Sequence, residues 1–99
     1  MKCKIPTCEI TEETQLDLHH IVPRFMFPKE YKQGKKWDLI TLDGIEWSNR
    51  IYLCKQHHKI FTHIDMIIYH STKNLNQQEK NKLHKTIYNH TFQLLKLLK

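Results

Sequence analysis

The sequence predicts one small α+β domain, and three local patterns support this fold class. Short apolar runs bounded by turn residues predict strands, at residues 16–22, 37–42, 45–47 and 50–53. A helix is expected to follow the last strand, and a segment without glycine or proline predicts a longer helix near the C-terminus. Because 99 residues bury only a modest core, a bound metal ion would stabilise a domain of this size.

The N-terminal part alternates short elements with loops. Residues 1–15 begin with Cys3-x4-Cys8 and continue into a polar, acidic stretch, which predicts a knuckle or a loop. The strand at 16–22 should end at Pro23, because proline has no N–H to donate to a sheet. Residues 23–36 are rich in proline, lysine and glycine and predict a loop.

A hairpin and a helix are expected in the middle of the chain. Asp43-Gly44 lies between two apolar runs, which is a strong local signal for a hairpin turn. After the strand at 50–53, a helix is predicted from Lys55 to about Ile64. The segment 66–69 either extends that helix or forms a strand, since periodicity does not separate the two for so short a run.

The C-terminal quarter predicts an amphipathic helix over 76–98. Asn76 and Glu79 have the spacing of an N-cap and a capping box. One face carries apolar residues at helical spacing, namely Leu83, Ile87, Leu94, Leu97 and Leu98. The opposite face carries Lys82, Lys85, Asn89, Gln93 and Lys96. We expect residues 1–74 to form the main domain and residues 75–99 to pack on it or to mediate a homodimer.

The charge of the chain favours an anionic partner. Sixteen Lys and Arg against ten Asp and Glu give a net charge of +6, which suits nucleic acid or an acidic membrane surface. A basic protein without any such partner is the alternative. No apolar stretch approaches the ~20 residues that span a bilayer, and the first residues lack the apolar core of a secretion signal. We therefore expect a cytoplasmic protein that is not embedded in a membrane.

The cysteines predict a metal site rather than disulfide bonds. Three cysteines would leave one unpaired in a disulfide framework, whereas a mixed site of cysteine and histidine has no such problem. Cys3 and Cys8 form one closely spaced pair, and Cys54 and His57 form a second. Two such pairs suit a tetrahedral structural zinc ion. The alternative is that the cysteines are buried and free and that His57 lies at the surface.

Eight histidines are an unusual number for a chain of this length, and His19 and His20 are adjacent. Alone, this pair is weak evidence for a site. Neighbouring side chains in a strand point to opposite faces, so both histidines can serve one site only at a distortion or a strand end. The nearby Pro23 is compatible with such an end.

The order of three motifs resembles a known family. His-His-Ile-Val-Pro-Arg at 19–24 is followed by Asn49 and then by Leu-Cys-x2-His-His at 53–58. This order resembles the HNH endonuclease family, which has a ββα-metal fold, here with a zinc knuckle of the Cys3His type. The resemblance covers roughly residues 3–64.

The resemblance implies a role for each matching residue. His19 would ligate a catalytic metal ion, and His20 would be the general base. Asn49 would hold the catalytic loop or ligate the metal, and His58 would be a second metal ligand. Many members of the family have a further histidine four residues after this ligand.

The chain departs from the family at that last position. Thr62 occupies it, and His63 follows one residue later, about 100° further round a helix. Either His63 reaches the metal through a distorted helix end, or the site uses His19, His58, Asn49 and water.

The function expected from the resemblance is metal-dependent DNA endonuclease activity, a phosphodiester hydrolysis. His20 would activate water, and a divalent ion at His19 and His58 would stabilise the leaving 3′ oxygen. Mg²⁺, Mn²⁺, Ni²⁺ and Zn²⁺ all remain candidates for that ion. Cations between the motifs would contact DNA phosphates, namely Arg24, Lys29, Lys32, Lys35 and Lys36.

Two other functional classes remain open. The first is a zinc-dependent nucleic-acid-binding module without cleavage activity, which needs Cys3, Cys8, Cys54 and His57 but not the second histidine site. The second is a structural or interaction protein that dimerises through the helix at 76–98 and has no metal at His19 and His58.

Overall fold

The computed structural model describes residues 2–6, 8–32 and 36–97, without the side chain of Glu13. It confirms a small α+β domain with two antiparallel two-stranded sheets and two helices. The elements in chain order are β1 Leu16–His20, β2 Leu39–Leu42, β3 Ile45–Ser48, β4 Arg50–Cys54, α1 Lys55–Thr72 and α2 Gln77–Leu97.

The first sheet pairs the two strands that carry the histidine and cysteine motifs. Strand β1 runs antiparallel to β4, and His20 lies opposite Arg50 while Leu16 lies opposite Cys54. The N-terminal segment lies along the other side of β4, where the Lys4 N–H donates to the Tyr52 carbonyl at 2.8 Å. Helix α1 follows β4 directly and contacts both strands. The N-terminus, this sheet and the start of α1 therefore meet at one place.

Strand β1 is two residues shorter than the prediction of 16–22. Ile21 and Val22 lie beyond its end and are buried. The Ile21 N–H still donates to the Asn49 carbonyl at 2.9 Å, in register with the two strands, but the Asn49 N–H donates to the Asp38 carbonyl and the Val22 N–H donates to the Asn49 side chain, so the ladder ends here. The loop predicted over 23–36 contains short 3-10 turns, at Arg24–Met26 and Lys29–Lys32.

The second sheet is the predicted hairpin of β2 and β3. Asp43 and Gly44 form its two-residue turn, with φ angles of 53° and 79°. Positive φ at both central residues is the geometry that matches the twist of the flanking strands, and glycine adopts it without strain. The Asp-Gly signal therefore predicted this turn correctly.

Helix α1 extends through the segment that the sequence left open. Its 18 residues include 66–69, which are helical and not a strand. The Cys54 sulfur caps the helix by accepting from the His57 N–H, and the Thr72 hydroxyl donates to the Ile68 carbonyl at 2.7 Å near the other end. Phe61 is the one fully buried apolar side chain among the described residues of this helix, so α1 contacts the sheet along a narrow stripe.

Helix α2 begins with the predicted capping box. The Glu79 N–H donates to Asn76 Oδ1 at 2.9 Å, and the Asn76 N–H donates to Glu79 Oε1 at 3.1 Å. These reciprocal bonds satisfy two backbone N–H groups that the helix start leaves without partners.

The buried face of α2 differs from the predicted apolar stripe. The residues that it buries are Tyr88, Thr91 and Leu95, whereas Leu97 is 76% exposed. This face lies about 100° round the helix from the predicted one. Leu83, Ile87 and Leu94 are half-buried at its edge, and Leu98 lies outside the described residues.

Helix α2 buries this face rather than the predicted one because polar side chains on it find hydrogen-bond partners inside the domain. The Tyr88 hydroxyl donates to the Ser48 carbonyl at 3.0 Å, and His84 Nε2 donates to the Met26 carbonyl at 2.7 Å. Both rings can therefore be buried without leaving a polar atom unsatisfied. Helix α2 packs on the rest of the chain through these contacts, and its pairing with a second copy stays a prediction. Within the described part of the chain, neither helix is long and apolar enough to cross a membrane.

Candidate metal centre and active site

Four side chains converge where the N-terminus meets the start of α1. The ligand atoms of Cys3, Cys8, Cys54 and His57 all lie within 4.8 Å of one another. His57 Nδ1 is 3.1 Å from the Cys54 sulfur and 3.5 Å from the Cys3 sulfur. Ligands around a tetrahedral zinc ion, with bonds of about 2.0–2.3 Å, are separated by about 3.5–3.8 Å. The four side chains that the sequence predicted as ligands could therefore bind a zinc ion.

We call this group of three cysteines and one histidine the Cys3His cluster. Backbone N–H groups point at two of its sulfur atoms, as they do at thiolate ligands of metal ions. The Cys54 N–H points at the Cys3 sulfur at 3.3 Å, and the His57 N–H points at the Cys54 sulfur at 3.5 Å. Such N–H···S contacts stabilise a negatively charged sulfur and orient it. All three cysteines are free of disulfide bonds. The alternative of buried cysteines beside a surface histidine does not describe this arrangement, since His57 Nδ1 lies 3.1 Å from the Cys54 sulfur.

Asn49 connects the two motifs through its side chain. It is completely buried between β3 and β4, and its Oδ1 accepts from the Val22 N–H at 2.8 Å. Its Nδ2 donates to the Val22 carbonyl at 3.0 Å and to the Trp37 carbonyl at 2.8 Å. Both amide hydrogens are therefore used to hold the two ends of the loop between β1 and β2. Of the two roles that the resemblance implies for Asn49, this geometry favours holding the loop.

His20 lies at the end of β1 against that loop. Its Nε2 is 2.7 Å from Asp38 Oδ1, and its ring meets Trp37 edge to face with centroids 6.4 Å apart. A carboxylate only accepts, so this bond places the imidazole proton on Nε2 and leaves a lone pair on Nδ1. The side chain of His20 is 12% exposed. Arg50, which is opposite His20 in the sheet, reaches the second Asp38 oxygen at 4.0 Å.

His19 points to the other face of β1, toward α1. Its ring centroid is 5.4 Å from that of His58 and 5.5 Å from that of Phe61, and its side chain is 4% exposed. Burial, followed by the nearby His58 and His20, lowers the pKa of His19 to about 4. His19 is therefore neutral at pH 7, which is the form that binds a metal ion.

His58 is oriented by a carboxylate from β1. Its Nδ1 donates to Asp17 Oδ2 at 3.1 Å, and Lys55 holds the other Asp17 oxygen at 2.9 Å. The bond from Lys55 is the main cause that lowers the pKa of Asp17, with a further contribution from His58. Because the Nδ1 proton of His58 is committed to Asp17, its Nε2 carries the lone pair. A carboxylate that fixes the tautomer in this way is a common support of metal-binding histidines.

Asp65 also faces His19, although the sequence did not point to it. Its Oδ2 is 3.9 Å from His19 Nδ1, and its side chain is 27% exposed. Burial raises the pKa of this carboxyl to about 7. His63, by contrast, is exposed, and it lies about 140° round α1 from His58. Thr62 is exposed too, and its hydroxyl donates back to the His58 carbonyl at 2.9 Å.

The two histidines of the adjacent pair thus divide between the faces of β1. His19 joins His58 and Asp65 on the helix side, and His20 joins Asp38 on the side of the loop. The pair is still close enough for His20 to contribute to lowering the pKa of His19. Across the described ranges, the Cys3His cluster is the one group of three or more candidate ligands within 4.8 Å. The side chains of His19, His58 and Asp65 would have to rotate to share an ion.

Sequence reasoning missed three carboxylates, namely Asp17, Asp38 and Asp65. Asp17 and His19 are two residues apart in a strand, which puts them on one face and was a usable signal. Asp65 is seven residues after His58, or two helical turns, and this spacing was also readable once α1 was known to continue past Ile64. Asp38 had no local signal, because it reaches His20 only through the fold of the loop.

A basic groove begins beside the His20 site. It has a volume of about 630 Å³, and the described residues that line it include the cations Arg24, Lys29, Lys32 and Lys80 and no acidic residue. Trp37 joins the groove to His20, and the Arg24 guanidinium lies over the Trp37 ring at 5.5 Å. Of the other cations expected to contact phosphates, Lys36 lies near the Tyr31 ring instead, and Lys35 is outside the described residues.

No family model, curated protein or solved structure matches the chain when it is compared with each of these sets.

Proposed function

We propose that this protein is a metal-dependent DNA endonuclease of the HNH type. The observation that carries the proposal is the position of His20. It lies at the end of β1 with its tautomer fixed by Asp38, and it is next in the chain to His19, which forms with His58 the candidate pair of metal ligands on the opposite face of the strand. A histidine with a free lone pair beside a potential metal site is suited to activating water near pH 7.

The surrounding architecture supports the same proposal. An antiparallel pair of strands, β1 and β4, is followed directly by α1, which is the order of elements that the ββα-metal resemblance requires. Asn49 stands between the two histidine motifs and holds both ends of the intervening loop. The Cys3His cluster lies where the resemblance calls for a zinc knuckle.

In the proposed reaction, His20 Nδ1 takes a proton from a water molecule, and the water oxygen attacks the phosphorus of a phosphodiester. The bond from phosphorus to the 3′ oxygen breaks, and that oxygen takes up a proton from solvent water, which leaves a 5′ phosphate and a 3′ hydroxyl. Asp38 keeps the imidazole oriented and stabilises the positive charge that His20 gains. A divalent ion held by His19 and His58 would supply charge stabilisation at the phosphate and the leaving oxygen.

The proposed substrate is DNA, held through its backbone. The basic groove defined by Arg24, Lys29, Lys32 and Lys80 leads past Trp37 to His20. A phosphate chain lying in this groove would bring a phosphodiester to the exposed edge of His20. Lysine and arginine contacts of this kind provide affinity and register rather than sequence recognition.

We also propose that zinc occupies the Cys3His cluster as a structural ion. It would join the N-terminus, β4 and the start of α1 in a chain whose core is small. Such a site supplies folding free energy rather than catalysis, because all four of its ligand positions come from the protein.

The test is cleavage of supercoiled plasmid by zinc-loaded protein with added Mg²⁺, Mn²⁺, Ni²⁺ or further Zn²⁺. The proposal predicts metal-dependent nicking that is lost in His20→Ala and kept in His90→Ala, a matched change at an exposed histidine of α2. DNA binding without nicking under any of these metals would favour the alternative of a zinc-dependent nucleic-acid-binding module. Equal nicking by both variants would show that His20 is not the base.

A further inference from the structure

Helix α1 presents three of its residues to one side of the first sheet. His58 and Phe61 both contact the His19 ring, and Asp65, one helical turn beyond Phe61, also faces His19. Asp65 is seven residues after His58, so the two side chains leave α1 only about 20° apart. Thr62 lies about 40° from His58 and His63 about 140°. Asp65 therefore leaves α1 on the same side as His58, about 10.5 Å further along the helix axis, where it faces His19.

The distance between Asp65 and His19 is informative. Their nearest atoms, Oδ2 and Nδ1, are 3.9 Å apart, which is too long for a direct hydrogen bond. Two ligands that share a metal ion at about 2.0–2.2 Å are about 3.0–3.5 Å apart. The observed separation is longer than this, and the ligand atoms of His19, His58 and Asp65 do not all lie within 4.8 Å of one another, so side-chain rotation would have to bring them around a shared cation.

Among the described residues, Asp65 has no lysine or arginine as an ion-pair partner. Within the described ranges, the one basic side chain within 4.0 Å of its carboxyl is His19, which is neutral at pH 7, and no lysine or arginine lies within that distance. It is 27% exposed, so one side of the carboxyl is open to solvent and to an incoming ion. Asp17, the other acid on this side of the sheet, is already paired with Lys55 and His58.

We propose that Asp65 is the third protein ligand of the divalent ion, with His19 Nδ1 and His58 Nε2 as the other two. Two imidazoles and one carboxylate form a donor set that suits Zn²⁺, Mn²⁺, Co²⁺ and Ni²⁺ and leaves positions open for a phosphate oxygen and water. Thr62 and His63 have no part in this site. The inference rests on the proposed function for the use of the ion, but the binding site itself is tested without any cleavage assay.

The experiment is a Mn²⁺ titration of the zinc-loaded protein, with free Mn²⁺ measured by electron paramagnetic resonance. Mn²⁺ is weaker than Zn²⁺ in its affinity for a given site, so it does not displace zinc from the Cys3His cluster. We expect the wild-type protein to bind one Mn²⁺ and Asp65→Asn to bind it at least about tenfold more weakly, since even supporting residues of metal sites change affinity about 10–100-fold.

Two further variants complete the design. Asp43→Asn makes the same charge change at the exposed hairpin turn and should bind Mn²⁺ as the wild type does. Asp65→Glu keeps the carboxylate and should bind better than Asp65→Asn. Circular dichroism of each variant verifies that α1 is intact, so that weak binding is not a consequence of unfolding.

The failures of the two proposals are distinguishable. Equal Mn²⁺ affinity in Asp65→Asn and the wild type, or no Mn²⁺ bound by the wild type, overturns the role of Asp65 whatever the plasmid assay gives. Mn²⁺ binding that depends on Asp65, together with an absence of nicking under every metal, keeps the site and overturns the proposed nuclease.

Discussion

Replacing Asn49 with alanine should lower the free energy of unfolding, because this side chain holds the loop between the two histidine motifs. The side chain is completely buried and makes three hydrogen bonds to backbone atoms, one to the Val22 N–H and two to the Val22 and Trp37 carbonyls. Each such bond contributes about 1–1.5 kcal/mol, and the backbone groups left behind would be buried without partners. The three together give a loss of about 3–5 kcal/mol in the free energy of unfolding.

That loss is large for a domain of this size. Small domains have a free energy of unfolding of about 5–15 kcal/mol, so Asn49→Ala should remove about a fifth of it or more. Urea denaturation of the zinc-loaded protein, followed by circular dichroism, measures the change. The slope with urea should stay the same, since the mutation alters stability rather than the surface exposed on unfolding.

The control for this prediction is Asn89→Ala, at an exposed position of α2. It should change the free energy of unfolding by no more than about 0.5 kcal/mol. A loss under about 1 kcal/mol in Asn49→Ala would refute the reasoning. It would mean that water or neighbouring groups satisfy the Val22 and Trp37 backbone once the amide is gone.

Three other predictions concern the zinc cluster, the half-buried His84 and the basic groove. Cys8→Ser, or treatment with a chelator, should lower the thermal midpoint by more than about 10 °C, and equal midpoints with and without zinc would contradict a structural role. Burial lowers the pKa of His84, so the unfolded chain takes up a proton that the folded one does not. The free energy of unfolding should therefore fall as pH drops below 6.5, the ordinary histidine value. His84→Gln should reduce this fall in urea titrations at several pH values. An unchanged pH dependence in this variant would contradict the assignment to His84. Lys32→Ala should reduce the slope of log binding constant against log salt concentration by about 1, because one fewer DNA counterion is released. Lys73→Ala, outside the groove, should leave this slope unchanged. Equal slopes for the two variants, measured by fluorescence anisotropy, would exclude the groove as the DNA-binding surface.

Local patterns in the sequence predicted the elements whose signals are local. The Asp43-Gly44 turn and the Asn76–Glu79 capping box depend on backbone angles and on bonds between neighbours, and both are present as predicted. The Cys3His cluster was also predictable, because the chemistry of zinc restricts its ligands to few residue types and spacings.

Features decided by tertiary packing were not predictable in the same way. The apolar stripe of α2 pointed about 100° from the face that is buried, because polar rings at His84 and Tyr88 found carbonyl partners inside the domain. The partner of His20, Asp38, lies 18 residues away across a loop whose path no local signal describes. The homodimer, the cytoplasmic location and DNA as the partner stay predictions.

The most direct test of the account is a double-mutant cycle on His20 and Asp38, measured as single-turnover nicking rates with zinc-loaded protein. His20→Ala should reduce the rate by about 10²–10⁴-fold, the usual contribution of a general base. Asp38→Asn should reduce it less, and the double variant should be no slower than His20→Ala alone, because Asp38 acts only through the imidazole. A full rate in His20→Ala, or effects of the two variants that multiply, would contradict the assignment of His20 as a base oriented by Asp38.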